Sequence, residues 1–333
     1  MREAAILHSA DSIWSKSPLK PHGKWTFTPA YYSVTGAHKA LTDLHLQNGI
    51  LNSQVCTESL QDYRLLILSD QRILSVQETA KIRQFVRDGG ALLVTHETGT
   101  RDLKNGKLAD FALADMLGVR YLGSPETANC YLRVTPELKK FGLPVMDVEA
   151  GGSYTRVALT TARKLLDLVP PYQKAKSGPP DEEPEGPGVT INAYGKGKVL
   201  YCAADLFGGF FDKDTPNMRK LAAWMLEQVY PTSSRLIVLE NAPVNVEMFC
   251  NRKGEEYLVH LINYSGDKRD IGTPQVQDFT AVHGITVKIR MEKKPIEITL
   301  APDKKHIDFT WSKGLLVFQT LPLQIHDVYW IIF

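Results

Sequence analysis

The stretch 62–99, DYRLLILSDQRILSVQETAKIRQFVRDGGALLVTHETG, decides the fold. It holds two uninterrupted apolar runs, LLIL at 65–68 and ALLV at 91–94, on either side of a segment with helical spacing. Apolar runs without polar alternation belong to strands covered on both faces, as in parallel sheets. Between the runs Ser75 stands as an N-cap, Glu78 three residues on completes a capping box, and the paired Gly89 and Gly90 stop the helix. The pattern is strand, helix, strand, with a crossover long enough to leave the two strands parallel.

The same alternation extends in both directions. Upstream, AAILHS (4–9) reads as the first strand, 10–33 as a loop, and 36–47 as a helix with Ala37, Ala40, Leu41 and Leu44 at helical spacing. A second strand is expected at 54–57. Downstream, a helix is expected at 108–117, ended by Gly118, and short strand-like pieces such as VRYL and SYTRVALTT follow through 119–170. The Pro-, Gly- and charge-rich KAKSGPPDEEPEGPG (174–188) predicts a mobile surface loop, because it has too little apolar surface to pack. The sheet then resumes in VTINAYGKGKVLYCAADLF, with GKGK as a hairpin turn, and a helix at 217–229 closes the unit. From about 234 helical periodicity gives way to some eight short alternating segments, among them VNVEMFC, EYLVHLINYS and VYWIIF, which predict an antiparallel β-sandwich. The expected organisation is an α/β domain with a doubly wound sheet at 1–232 and the sandwich at 233–333.

Composition narrows the function. Of the 333 residues 43% are hydrophobic and 23% charged, values of an ordinary globular chain. The 39 basic and 37 acidic residues give a net charge of +2, so no electrostatic footprint for nucleic acid is present. No apolar run approaches the roughly 20 residues of a membrane helix, and MREAAILHS lacks a signal-peptide pattern, so a cytoplasmic location, or a chain separated from its export signal, is expected. Cys56, Cys130, Cys202 and Cys250 show no paired spacing and read as buried free thiols.

The quoted stretch, continued through RDLKNGKLADFALADMLGV, resembles the amidotransferase-like domain often called the beta-galactosidase trimerisation domain. NAYGKGKVLYCAADLF and EEYLVHLINYSG resemble the closing strand of that domain and the sandwich that ends such enzymes. The resemblance covers the whole chain and extends to α-fucosidase-like glycoside hydrolases. It implies a class I glutamine amidotransferase-like (flavodoxin-like) sheet, and an upstream catalytic (β/α)8 barrel that this chain is expected to lack. It further implies an accessory, oligomerising role in carbohydrate metabolism, with a homo-oligomer and that barrel as partners.

An active class I amidotransferase needs a cysteine on the strand-to-helix elbow and a histidine to activate it. Here the elbow in THETG is expected at Glu97, and AADLFGG after the last strand holds no histidine, so no catalytic residue of that kind is assigned. Polar residues at strand ends, Ser9, Asp11, Asp70, Gln71, His96, Glu97 and Asp205, are expected to converge on one crevice, where open α/β sheets place ligands. They could cap helices and tie loops, touch sugar or a subunit, or act as acid and base in a stand-alone enzyme or sugar-binding protein like the trehalose-utilisation proteins. No metal-ligand spacing and no cofactor motif accompanies them. Trp14, Trp25, Phe27, Tyr31 and Tyr32 crowd the expected 10–33 loop as candidates for an interface or a sugar-stacking face, or as that loop's own core. In the sandwich, His260, Trp311 and Trp330 fall on strand patterns that packing explains.

Overall fold

A computed structural model describes residues 3–14, 20–22, 25–53, 59–144, 146–265 and 278–333. In the first part the strands are β1 (Ala4–His8), β2 (Lys20–His22), β3 (Trp25–Phe27), β4 (Asn48–Asn52), β5 (Leu65–Ser69), β6 (Ala91–Thr95), β7 (Val119–Gly123), β8 (Cys130–Leu132), β9 (Val148–Gly151), β10 (Arg156–Leu159), β11 (Arg163–Val169), β12 (Gly186–Tyr194) and β13 (Gly197–Cys202). The helices are α1 (Ala10–Ile13), α2 (Pro29–Asp43), α3 (Val76–Arg87), α4 (Ala114–Leu117), α5 (Pro136–Lys140), α6 (Leu206–Lys213) and α7 (Pro216–Val229).

Nine strands form one mixed sheet in the order β4-β1-β5-β6-β13-β12-β11-β8-β9. From β4 to β13 every pairing is parallel. Counted along the chain, these five run 2-1-3-4-5, so the winding reverses between β1 and β5. Beyond β13 the pairings are antiparallel, which is where the sequence pattern breaks into short pieces.

Period-2 alternation assigns the core. Ala5, Leu7, Leu66, Leu68, Leu92 and Val94 pack with Ile82, Phe85 and Val86 of α3. Ile6, Leu65, Ile67, Leu93 and Leu200 between them are equally buried and point the other way. The full capping box at Ser75 and Glu78 sets the start of α3.

Several boundaries differ from expectation. The second strand is Asn48–Asn52, and residues 54–58 lie outside the described set. The expected loop at 10–33 instead holds α1, the β2–β3 hairpin and the first turn of α2. That helix begins at Pro29, whose fixed φ suits a first turn and which has no N–H to leave unpaired there. Only Ala114–Leu117 of the expected 108–117 helix forms, ended by Gly118 at φ 66°. A methyl on Gly118 would lie 2.6 Å from the Ala162 nitrogen, so glycine serves both the left-handed turn and the close approach. Within 174–188, Gly186 already belongs to β12, Pro171 bridges Pro180, and the Gln173 nitrogen donates to Asp181 at 2.9 Å.

The second part contains β14 (Ile237–Glu240), β15 (Val246–Lys253), β16 (Glu256–Asn263), β17 (Thr286–Arg290), β18 (Glu297–Ala301), β19 (Lys305–His306), β20 (Phe309–Ser312), β21 (Leu315–Gln319) and β22 (His326–Ile332). They form two antiparallel sheets, β14-β17-β21-β20 and β15-β16-β22-β18-β19. Val287, Ile289 and Phe318 from one sheet share a core with Met248, Val259, Leu261, Tyr329 and Ile331 from the other. The expected HIDFTW strand is split into β19 and β20. By contacts, 232–333 group with 41–47, and 2–40 with 48–231.

Candidate functional site

The carboxyl ends of β1, β5, β6 and β13 carry six of the seven singled-out polar residues, and all six are buried. Ser9 caps α1: its Oγ accepts from the Ser12 nitrogen at 3.3 Å and donates to the Ile73 carbonyl at 3.2 Å. Gln71 reaches across the point of reversed winding and accepts from the Ser9 nitrogen at 2.9 Å, while its Nε2 donates to the Ser69 carbonyl at 2.8 Å. Asp11 does not join them; it is exposed in the single turn of α1.

Asp70 and Glu97 meet on a residue that the sequence reading passed over, Arg72, and His96 joins them through Asp70. The Nε and Nη2 of Arg72 donate to the Asp70 carboxylate at 3.1–3.2 Å, and its Nη1 lies 3.0 Å from Glu97 Oε2. His96 Nδ1 faces Asp70 Oδ1 at 2.9 Å, and Tyr121 donates to Glu97 Oε1 at 3.1 Å. Asp205 caps α6 by accepting from the Gly208 nitrogen at 3.1 Å, and it accepts from Ser33 of α2 at 2.7 Å. The available signal for Arg72 was its place two residues past Asp70 at a strand exit.

Backbone geometry explains how neighbouring residues reach one cluster. Asp70 at φ 47° and His96 at φ 52° both turn left-handed as they leave their strands. Asp and His tolerate that region better than most residues, yet it still stores strain of about 1 kcal/mol or more each. The strained exit residue is therefore His96, one place ahead of the expected elbow at Glu97. Its carbonyl accepts from Tyr201, and its own N–H donates to the Cys202 carbonyl, both at 2.9 Å.

The charges hold one another ionised. Burial opposes ionisation of Asp70, but Arg72 and His96 outweigh it and hold the carboxyl well below the usual carboxylate range. Burial likewise opposes charge on His96, and Asp70, with help from Glu97 and Asp205, overrides it and raises the imidazole above its usual 6.5. For Glu97, too, burial is outweighed, by His96 and Arg72, and its pKa is lowered. The result is a buried ion cluster between strand ends that contains no thiol nucleophile. Among the described residues no three His, Cys, Asp or Glu side chains gather to hold a metal.

The aromatic candidates divide. Trp14 ends α1 at 82% exposure. Trp25 and Phe27 lie on β3. Tyr31 and Tyr32 belong to α2 rather than to a loop. Tyr32 is buried and tilts against Phe211 at 5.0 Å, whereas Tyr31 lines a depression of about 560 Å³ with His8, Thr35, His38 and Asn52. In the sandwich Trp311 packs on the core, and His260, half-buried on the face of β16 away from the core, stacks on His326.

The described residues thus form a mixed α/β sheet whose strand ends carry an ion cluster, followed by antiparallel sheets. Residues 2–222 match the beta-galactosidase trimerisation domain family, and the chain belongs to it. The chain is similar to beta-galactosidase BgaA of Clostridium cellulovorans, 23% identical over 268 residues, which cover 76% of this chain and 36% of that protein. Its fold is similar to alpha-L-fucosidase isoenzyme 2 from Paenibacillus thiaminolyticus, with TM-score 0.80, 18% identity, and 100% of this chain on 49% of that one. It is also similar to a beta-galactosidase from Bacillus circulans sp. alkalophilus, with TM-score 0.65, 14% identity, and 99% of this chain on 41% of that one. The chain thus spans less than half the length of these relatives. Among the described residues no helix is long and apolar enough to cross a membrane.

Proposed function

We propose that this chain is a non-catalytic accessory and oligomerisation region of a cytoplasmic glycoside hydrolase, with an amidotransferase-like domain at 1–232 and a sandwich domain at 233–333. Its partners are further copies of itself and a catalytic barrel. The strand-end residues serve as internal bracing. The observation that carries this reading is an exposed apolar group at the carboxyl end of the sheet, made of Trp14 (82% exposed), Val76 (84%) and Leu103 (62%). Each lies two or three residues from one backbone junction. Ser12 just before Trp14 exchanges hydrogen bonds with Ile73, three residues before Val76, and Ile73 bridges Arg101, two residues before Leu103. Large apolar side chains exposed outside the core on rigid supports are the anchors that interfaces use. The burial of Asp70, His96 and Glu97 favours bracing over catalysis by a stand-alone enzyme. Tyr31 and its polar neighbours are the place where a sugar ring could stack.

Sedimentation velocity of the chain, paired with assays on nitrophenyl galactosides, fucosides and glucosides, tests the proposal. The expected result is an oligomer without turnover that dissociates on Trp14→Ser combined with Val76→Ser. A monomer that hydrolyses any of these sugars would overturn it.

A further inference from the structure

On the outer face of the five-stranded sheet two histidines stand together. β16 and β22 pair antiparallel, with His260 opposite Val328 and Ile262 opposite His326. Val259, Leu261, Tyr329 and Ile331 take the alternate positions and fill the core, so His260 and His326 project away from it as diagonal neighbours. His260 Nδ1 lies 3.2 Å from His326 Nε2, and the rings stack with 16° between their planes.

We propose that His260 and His326 form a binding site for a divalent transition-metal cation of the zinc type, with water completing its coordination. Imidazole nitrogens bind zinc at about 2.0–2.1 Å, so two of them in a tetrahedral shell stand roughly 3.3–3.4 Å apart. The observed 3.2 Å is already close to that spacing. One strand pair fixes both backbones, so little ordering remains to oppose binding. Without metal, the facing nitrogens must take opposite roles, one donating and one accepting. A cation lets both nitrogens donate their lone pairs to it, with the ring protons held on the far nitrogens. His326 is exposed at the first position of β22 and has room to turn its lone pair toward the ion. Because the ligand set is two imidazoles, the preferred ions are those that imidazole suits, zinc and copper, rather than calcium or magnesium.

The experiment uses the full chain, stripped by chelator and titrated calorimetrically with zinc chloride alone. Copper(II) electron paramagnetic resonance then counts the nitrogens bound. One zinc per chain and a two-nitrogen copper signal are expected. His260→Gln and His326→Gln should each weaken zinc by roughly tenfold or more and remove the two-nitrogen signal. His306→Gln, altering an exposed histidine elsewhere in the sandwich, should leave both unchanged. Both substituted positions face outward, and circular dichroism checks that the variants fold. Absence of binding at submillimolar zinc, or binding by either His260 or His326 variant equal to that of the parent, would overturn the site.

Discussion

Replacing Arg72 by Met tests whether the strand-end cluster braces the fold. The methionine keeps most of the stem but removes the guanidinium that reaches both carboxylates. Arg72 contacts Asp70 at 3.1 Å and Glu97 at 3.0 Å, with side-chain exposures of 16%, 0% and 10% for the three residues. At that depth the carboxylates cannot recover water, so truncating one partner of a buried pair costs about 3–5 kcal/mol, more than the pair contributes net. His96 remains as a counterion for Asp70 and Glu97. Guanidinium chloride unfolding, followed through the emission of Trp224 (1% exposed), reads the loss. Lys176→Met, which breaks a pair with exposures of 84% and 94%, should show no measurable change. The penalty at Arg72 should shrink on acidification, because protonated carboxyls need no counterion. A loss no greater than that of Lys176→Met, or one independent of pH, would refute the bracing argument.

Two further outcomes follow from the same geometry. His96 has a folded pKa raised above its usual 6.5, so its charge contributes stability that is fully present below pH 6.5 and lost as pH rises through the raised value. The stability advantage of the parent over His96→Gln, read from denaturation midpoints across pH, should therefore be largest on the acidic side and decline above it; an advantage that grows with pH would contradict the assignment. Gly36→Ala should destabilise by about 1–3 kcal/mol although alanine favours helices, because the added methyl would meet the Phe207 carbonyl oxygen of α6 at 1.9 Å. Thermal unfolding checks this, and an unchanged or raised midpoint would show that α2 and α6 can separate at no cost.

The strands with both faces covered were legible in the sequence because burial on two sides forces uninterrupted apolar runs, as in LLIL at 65–68 and ALLV at 91–94. Ser75 with Glu78 announced a helix start for the same kind of reason: a cap is a local hydrogen-bond pattern, complete within four residues. Alternation likewise disclosed the antiparallel sheets of the second part. The start of α2 and the position of β4 were less legible, since tertiary burial of Tyr32 and pairing with β1 decide them, not spacing within the segment.

The sequence by itself determined the strand–helix alternation, the change to antiparallel strands and the absence of cysteine from THETG at 95–99. Which of the singled-out polar residues meet was settled only by tertiary structure. Arg72 gathers Asp70 and Glu97 because two left-handed exits turn side chains that plain alternation would send apart. Asp11 falls out of the group because one turn of helix carries it into solvent, and His260 finds His326 because strand register brings together residues 66 positions apart. Local composition records what each segment buries. The direction of a side chain at a strand exit, and the partner it meets across the sheet, depend on register and backbone dihedrals that only the assembled fold fixes.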